Sequence, residues 1–373
     1  MTNQQTRATT SQQSFENDGQ QASSPVTDDA SRRAEAQSAL LAWYTREGRA
    51  GLPWRATRDP YAILVSEVML QQTQVDRVIP KYLAFLERFP TLAALAEAPT
   101  ADVIREWAGL GYNMRAVRLQ EIARQAQREF GGALPATLDD LLRLKGVGRY
   151  TAGAVAAFAF GAQVATVDTN IRRTLWRIFR GIEPTVWPAG EPASREMLGL
   201  AEWALPPGRA YDWQQALMDL GATICMARRP ACERCPLTGA CAAWAEVGVV
   251  TLFPSGEALA RLRDERATAR GDTPTTLVAE NAQPYAATRG RKRAQPFTST
   301  TRYTRGRIIA ALRALEPGGS LSLGALGSQV RPTFGADDLP WLRELVEGLA
   351  RDGLARITAD SAEPEGEPCV SLP

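Results

Sequence analysis

Hydrophobic positions along this chain fall into distinct regimes. Up to about residue 33 large apolar side chains are sparse among Gln, Ser, Thr and Asp, and a segment with so little to bury is expected to stay disordered. From Ala34 to about Leu252 apolar residues return with helical spacing: Leu40, Leu41 and Tyr44, then Ile63, Leu64 and Val68, then Ile79, Tyr82, Leu83, Phe85 and Leu86. No strand alternation is sustained across residues 34–252, so an all-α region is expected there.

The remainder changes character. Residues 253–302 are rich in Thr, Ala, Pro and Arg, include the run Arg289-Gly-Arg-Lys-Arg293, and are expected to form a basic linker. A solvated tether and a phosphate-binding strip are both open readings of it. Residues 303–358 read as three helices (305–315, 323–330 and 339–351) followed by a short strand through Leu354 to Ile357. That order suggests a small winged-helix-like domain, with a helical bundle as the alternative, and residues 359–373 are expected to be a loose acidic tail.

Composition adds limits. A chain of 373 residues with 45% hydrophobic residues can supply two or three cores, and a net charge of +2 says little about partners. There is no histidine, so imidazole is excluded as general base, nucleophile partner and metal ligand. Catalysis must run on carboxylates, Tyr, Lys, Ser or a metal. The polar start of the chain suggests neither a secretory signal nor a membrane span, and a reducing cytoplasm is the expected compartment.

Four of the five cysteines, Cys225, Cys232, Cys235 and Cys241, lie within seventeen residues at the spacing C-x6-C-x2-C-x5-C; Cys369 stands apart. Four thiolates from one loop hold a 4Fe-4S cluster, with tetrahedral zinc the next alternative. A second signal is Gly146-Val147-Gly148 between two apolar helical stretches, the first opened by Thr137-Leu-Asp-Asp140. A tight glycine bend before a helix N-terminus offers amides to a DNA phosphate, though an ordinary helix turn reads the same way. Glu67 lies among Ile63, Leu64 and Leu70 on a largely apolar face, where desolvation raises a carboxyl pKa toward that of a general acid. A partly exposed edge residue is the plainer alternative. Asp168, in Val167-Asp-Thr-Asn-Ile171, reads as an N-cap, and a carboxylate held by helix amides is expected to stay ionised and face a developing cation.

Together the glycine hairpin, an Asp twenty residues beyond it and the four-cysteine loop resemble the endonuclease III superfamily of DNA glycosylases. Leu52-Pro-Trp-Arg55, Asp59-Pro-Tyr61, Ser66 to Val75, Gly109-Leu-Gly-Tyr112 and Gly146 to Gly153 look, within it, like the MutY family, which removes adenine opposite 8-oxoguanine or guanine. The resemblance spans roughly residues 36–250. It implies a two-lobed helix-hairpin-helix fold, one lobe from residues 57–165 and the other from 34–48 plus 166–245, with the active pocket between them.

It further implies that Glu67 protonates the leaving adenine and Asp168 stabilises the oxocarbenium-like sugar. Tyr150 matches the position of the Schiff-base lysine in bifunctional relatives, so a monofunctional enzyme is expected, and Asn170 would orient Asp168 and the water. Gln72 and Tyr112 match residues that enter the base stack when the nucleotide is flipped out. Gly146, Val147 and Gly148, with Arg228, Arg229 and Arg234 in the cysteine loop, would hold phosphates. The implied cofactor is one 4Fe-4S cluster and the implied partner is double-stranded DNA with mismatched or oxidised pairs, bound by a monomer.

Thr169 stands where many relatives have Gly, and Asn113 where a second Tyr is common. No Nudix-like module is recognisable after Leu252; Gln295-Pro-Phe297 and Arg305-Gly-Arg307 resemble the shorter ending of some bacterial members. Two rival readings remain: a thymine or uracil mismatch glycosylase on the same scaffold, and a non-catalytic iron-sulfur redox sensor that binds DNA.

Overall fold

A computed structural model describes residues 25–184, 187, 189–250, 298, 300–358 and 367–373. Its first helices are α1 (Pro25–Glu47), α2 (Pro60–Leu70), α3 (Val75–Arg88), α4 (Leu92–Glu97), α5 (Thr100–Glu106) and α6 (Met114–Glu129). Next come α7 (Leu138–Arg143), α8 (Arg149–Phe160), α9 (Thr169–Phe179), α10 (Glu191–Ala204), α11 (Ala210–Thr223) and α12 (Ala242–Val250). The chain ends in α13 (Thr301–Arg313), β1 (Ser320–Ser322), α14 (Leu323–Val330), α15 (Leu339–Arg351), β2 (Arg356–Thr358) and β3 (Cys369–Ser371).

Side-chain chemistry sets the helix starts that matter for the site. Asp59 accepts hydrogen bonds from the amides of Tyr61 (3.1 Å) and Ala62 (3.3 Å), and Pro60 occupies the first turn, where its missing N–H costs nothing. The helix so begun is buried from Tyr61 to Met69, as befits a central element with neighbours on all sides. Thr137 caps α7 by accepting from the Asp140 amide at 3.2 Å.

Apolar residues collect into three main cores. One joins α2 to α8 through Leu64, Met69, Phe85, Trp107, Leu119 and Val155. Another joins α1, α9, α10 and α11 through Leu40, Ile171, Leu175, Trp213 and Leu217. The third belongs to the C-terminal elements, Ile308, Leu312, Leu342, Val346 and Val370, and takes in Ile104 from α5.

Helix α1 starts at Pro25, nine residues before the expected order begins. Ala36 and Leu40 are fully buried, and once such a nucleus exists, extending a helix upstream adds a hydrogen bond for each residue fixed. Arg33 also ties its turn to α10, with its guanidinium 3.2 Å from the Trp203 carbonyl and stacked on that indole. The C-terminal order helix, strand, helix, helix, strand, strand is that of a winged helix. Its sheet is antiparallel in the order β1-β3-β2, with Val370 opposite both Leu321 and Ile357. Residues 369–371, expected in a loose tail, are therefore the central strand. Val370 is fully buried, and short pairing with two neighbours holds a segment too brief to signal itself. The Arg289–Arg293 run lies outside the described residues. Among the described residues no helix is long and apolar enough to cross a membrane.

Candidate active site and iron-sulfur loop

Glu67 in α2 is only 6% exposed, and Tyr150, at the start of α8, shares a hydrogen bond with it. Burial pushes the Glu67 carboxyl up to about 7. The Tyr150 bond and the Arg55 guanidinium oppose that rise, while the Asp168 charge adds to it. Burial also holds the Tyr150 phenol well above its ordinary value, so it stays a hydrogen-bond donor to Glu67.

Asp168 caps α9, accepting the Ile171 amide at 2.6 Å and, at 3.5 Å, the side-chain amide of Asn170. Asn170 in turn accepts from Arg173 at 3.0 Å. Burial still raises the Asp168 carboxyl, against the Ile171 amide, the Arg173 charge and Asn170. The connector to Asp168 is fixed by Gln214, whose carbonyl accepts the Thr166 amide at 2.8 Å while its amide donates to Val164 and Ala210 at 3.1 Å.

Two positioning groups behind this pocket were not singled out by sequence reasoning. Asp219, 1% exposed, accepts both terminal nitrogens of Arg55 at 2.8 Å, the Arg49 amide at 2.8 Å and Arg49 Nε at 2.7 Å. These bonds join the α2 entry to α11 and keep the Arg55 charge near Glu67. Arg55 stood in a recognised motif; Asp219 gave no signal, because a lone acid on an amphipathic helix reads as solvated.

The second group is Arg115. It donates to the carbonyls of Val68 (2.9 Å), Met69 (3.0 Å), Gln71 (2.6 Å) and Leu110 (3.0 Å), and to Thr73 Oγ1 (3.1 Å). One guanidinium therefore fixes the two loops that carry Gln72 and Tyr112. Both residues are exposed, at φ 56° and 45° respectively.

At the hairpin, Gly146 has φ 95°, a backbone that a side chain would strain. Val147 is buried, Gly148 caps α8 in extended backbone, and both glycines are exposed. Gln125 in α6 braces the bend, accepting the Lys145 amide at 2.8 Å and donating to the Arg143 carbonyl at 3.1 Å.

In the cysteine loop, all four thiols are half-buried and unpaired. Burial pushes Cys232 and Cys235 up to about 12 and Cys241 up to about 11, with mutual repulsion between the sulfurs adding to the rise. Among the described residues no group of three or more Cys, Asp or Glu side chains is gathered to hold a single metal ion. The donor set nevertheless fits a cluster. Backbone N–H groups of Leu237, Ala243 and Trp244 are directed at Cys235 and Cys241, and Arg177 Nη1 donates to Cys225 Sγ at 3.5 Å, contacts that favour thiolates. Arg177, 2% exposed and ion-paired with Glu183, also donates to the Met226 carbonyl at 2.9 Å. Arg228, Arg229 and Arg234 point outward, exposed.

Known proteins match this arrangement. Residues 65–186 match the HhH-GPD superfamily of base excision DNA repair proteins, and residues 225–241 match the iron-sulfur binding domain of endonuclease III. The fold and loop thus define the helix-hairpin-helix glycosylase class with a 4Fe-4S cluster as cofactor. Adenine DNA glycosylase of Mycolicibacterium smegmatis is 44% identical over 329 residues, covering 86% of this chain and 92% of that protein. The human adenine DNA glycosylase is 44% identical over 229 residues, 59% of this chain and 41% of that protein. A thermostable thymine-DNA glycosylase superimposes with a TM-score of 0.52 at 31% identity, over 58% of this chain and 98% of its own. The chain belongs to the adenine DNA glycosylase family. It spans about two fifths of the length of its mammalian relatives.

Proposed function

We propose that this protein removes adenine mispaired with 8-oxoguanine or guanine from double-stranded DNA by hydrolysing the N-glycosidic bond. The observation that carries the reading is the buried cluster in which Glu67 shares a hydrogen bond with Tyr150 and feels the Asp168 charge, with one carboxyl poised near neutrality. Breaking the bond needs a proton on the departing base and negative charge beside the sugar C1′. Glu67, poised near neutrality and oriented by Tyr150, gives the proton in its protonated form. Asp168, held by the Ile171 amide and Asn170, carries the charge that meets the oxocarbenium-like sugar, and a water adds at C1′. Tyr150 cannot form an imine, so the reaction stops at the abasic site.

Gln72 and Tyr112, on loops fixed by Arg115, fill the space left by the flipped nucleotide. The hairpin amides and the exposed arginines of the cysteine loop grip phosphates without reading sequence. The cluster, when bound, holds that loop in shape.

The test uses duplexes carrying A:8-oxoguanine, A:G, T:G and U:G, treated with alkali after incubation. Adenine release is expected, lowered at least about 100-fold by Glu67→Gln and by Asp168→Asn. A second reading, excision of thymine or uracil, has in its favour the 31% identity to the thymine-DNA glycosylase. Release of thymine in place of adenine would establish it. Strand scission without alkali would overturn the monofunctional assignment.

A further inference from the structure

Three arginines lie on α9 beyond Asp168, and two of them spend their donors inside the protein. Arg173 donates to Asn170 Oδ1 at 3.0 Å and to the carbonyls of Gly221 (2.7 Å) and Cys225 (2.9 Å). Arg177 is taken up by Glu183 and by the Met226 and Ala227 carbonyls. Arg172 is the exception. Its Nε is buried without a hydrogen-bond partner, and among the described residues no carboxylate pairs with it. A guanidinium left in that condition costs stability unless something outside the chain completes it.

Its surroundings hold it ready. The Arg172 guanidinium lies 4.4 Å over the Trp187 ring, and Trp187 is itself met edge-on by Trp176, with ring centroids 5.3 Å apart at 83°. Arg172 and Trp176 follow Asp168 at four-residue intervals, so the three share one face of the helix. Arg172, Trp176 and Trp187 are all half-buried, and this face therefore reaches solvent. A guanidinium stacked flat on an indole keeps its in-plane N–H donors free, and their fork matches two oxygens of a phosphate.

We infer that Arg172, laid on Trp187, binds a phosphate of the strand that carries the extruded nucleotide, next to the sugar that faces Asp168. The inference rests on the glycosylase reading. With that sugar at Asp168, a residue one helical turn further on, about 5.4 Å along the axis, lies within reach of the adjoining phosphate. Electrostatics calls for the same pairing. The Arg172 charge and the Asp168 carboxylate attract each other, yet an unneutralised cation so near would oppose the positive charge that develops on the sugar. A phosphate oxyanion on Arg172 removes that opposition. The hairpin and the cysteine loop hold phosphates of any duplex, whereas Arg172 meets its phosphate only once the nucleotide has left the stack.

The experiment uses the full chain with its cluster. The duplexes are a matched one, one with an abasic analogue opposite 8-oxoguanine, and the latter with an uncharged methylphosphonate linkage on either side of the analogue. Equilibrium binding across salt concentrations is measured for the wild type, Arg172→Ala, Arg172→Lys and Trp187→Leu, each first checked by thermal melting and cluster absorption. Arg172→Ala is expected to weaken the abasic-analogue duplex about tenfold and to lower its salt slope by about 0.9, one phosphate, with the matched duplex unchanged. Arg172→Lys should keep the slope and recover part of the affinity, and Trp187→Leu should lose part of it with the charge in place. One of the two methylphosphonates should cost the wild type a similar factor and cost Arg172→Ala nothing further. Equal losses on matched and abasic-analogue duplexes, or losses from variant and methylphosphonate that multiply at both positions, would overturn the inference. Adenine release by the wild type is scored separately: without it the excision reading fails, and the methylphosphonate pairing still decides whether Arg172 holds the phosphate.

Discussion

Gln72 and Tyr112, far apart in sequence, both adopt left-handed backbone, and they are the non-glycine residues that do so among the described residues. The same guanidinium, Arg115, binds the carbonyl before Gln72 and the two carbonyls before Tyr112. Two strained tips held by one buried cation are rigid, and on the function proposed above that rigidity lowers the entropy lost on entering DNA.

That arrangement separates stability from activity. Replacing Gln72 by Gly relieves left-handed strain of about 1 kcal/mol and should raise the urea midpoint, while slowing adenine release because the amide proposed to enter the stack is gone. A variant both less stable and fully active would contradict the assignment.

Arg115→Ala should behave differently. It leaves at least four carbonyls without their donor inside the protein, and a loss of about 3 kcal/mol or more is expected in denaturant unfolding. Burial pulls Arg115 down to about 10, so it remains charged through the neutral range and Arg115→Lys, lacking the fork, should recover only part of the loss.

Glu67 supplies a pH signature. Activity that needs its protonated form should hold up to about pH 7 and then fall tenfold per unit. For stability the sign runs the other way from a salt-bridged acid. The folded pKa lies above the ordinary 4.5, so between about pH 4.5 and 7 the unfolded chain loses a proton that the folded one keeps. Stability should fall by roughly 3 kcal/mol across that window and then level off. Glu67→Gln removes the dependence: urea melts of the two proteins should agree near pH 4.5 and favour the variant at pH 8.

Asp219 should show the opposite behaviour. Burial raises its carboxyl, but the hydrogen bonds and charges of Arg55 and Arg49 outweigh it and hold the group below 3.8. Its stabilising contribution is present above that pH and is lost as acid titrates the folded form. Asp219→Ala strands the buried Arg55 guanidinium and should cost about 3–5 kcal/mol, with Asp219→Asn costing less.

Removing the cluster would leave four thiols beside an apolar core that already includes Leu237 and Ala240. Cys235→Ser is expected to abolish the visible iron-sulfur absorption and to open the loop around residues 225–241 to protease, before the α2 to α8 core unfolds. Simultaneous loss of both regions on limited digestion would show that the cluster supports more than its loop.

Legibility in the sequence followed the range of the interactions. Caps at Asp59, Thr137 and Asp168 act over two or three residues, and their residue types announce them. Glu67 stood out because a carboxylate on an apolar face is rare. Arg115, Arg177, Asp219 and Gln214 did not, since each is a polar residue whose partners lie across the fold, and an amphipathic helix gives such a residue a solvated reading by default. The same holds for Val370: three residues of strand have no periodicity to detect, and only pairing with β1 and β2 defines them. For Asp168 the cap bond is local and was visible, while the burial that raises its carboxyl depends on neighbours across the fold.

Ile104 of α5 is fully buried among winged-helix residues. Neither half therefore owns a finished apolar surface, and a backbone cut between residues 251 and 297 should yield two fragments that still elute together from a sizing column. Co-elution would show that the seam around Ile104 holds the two parts together without a covalent link.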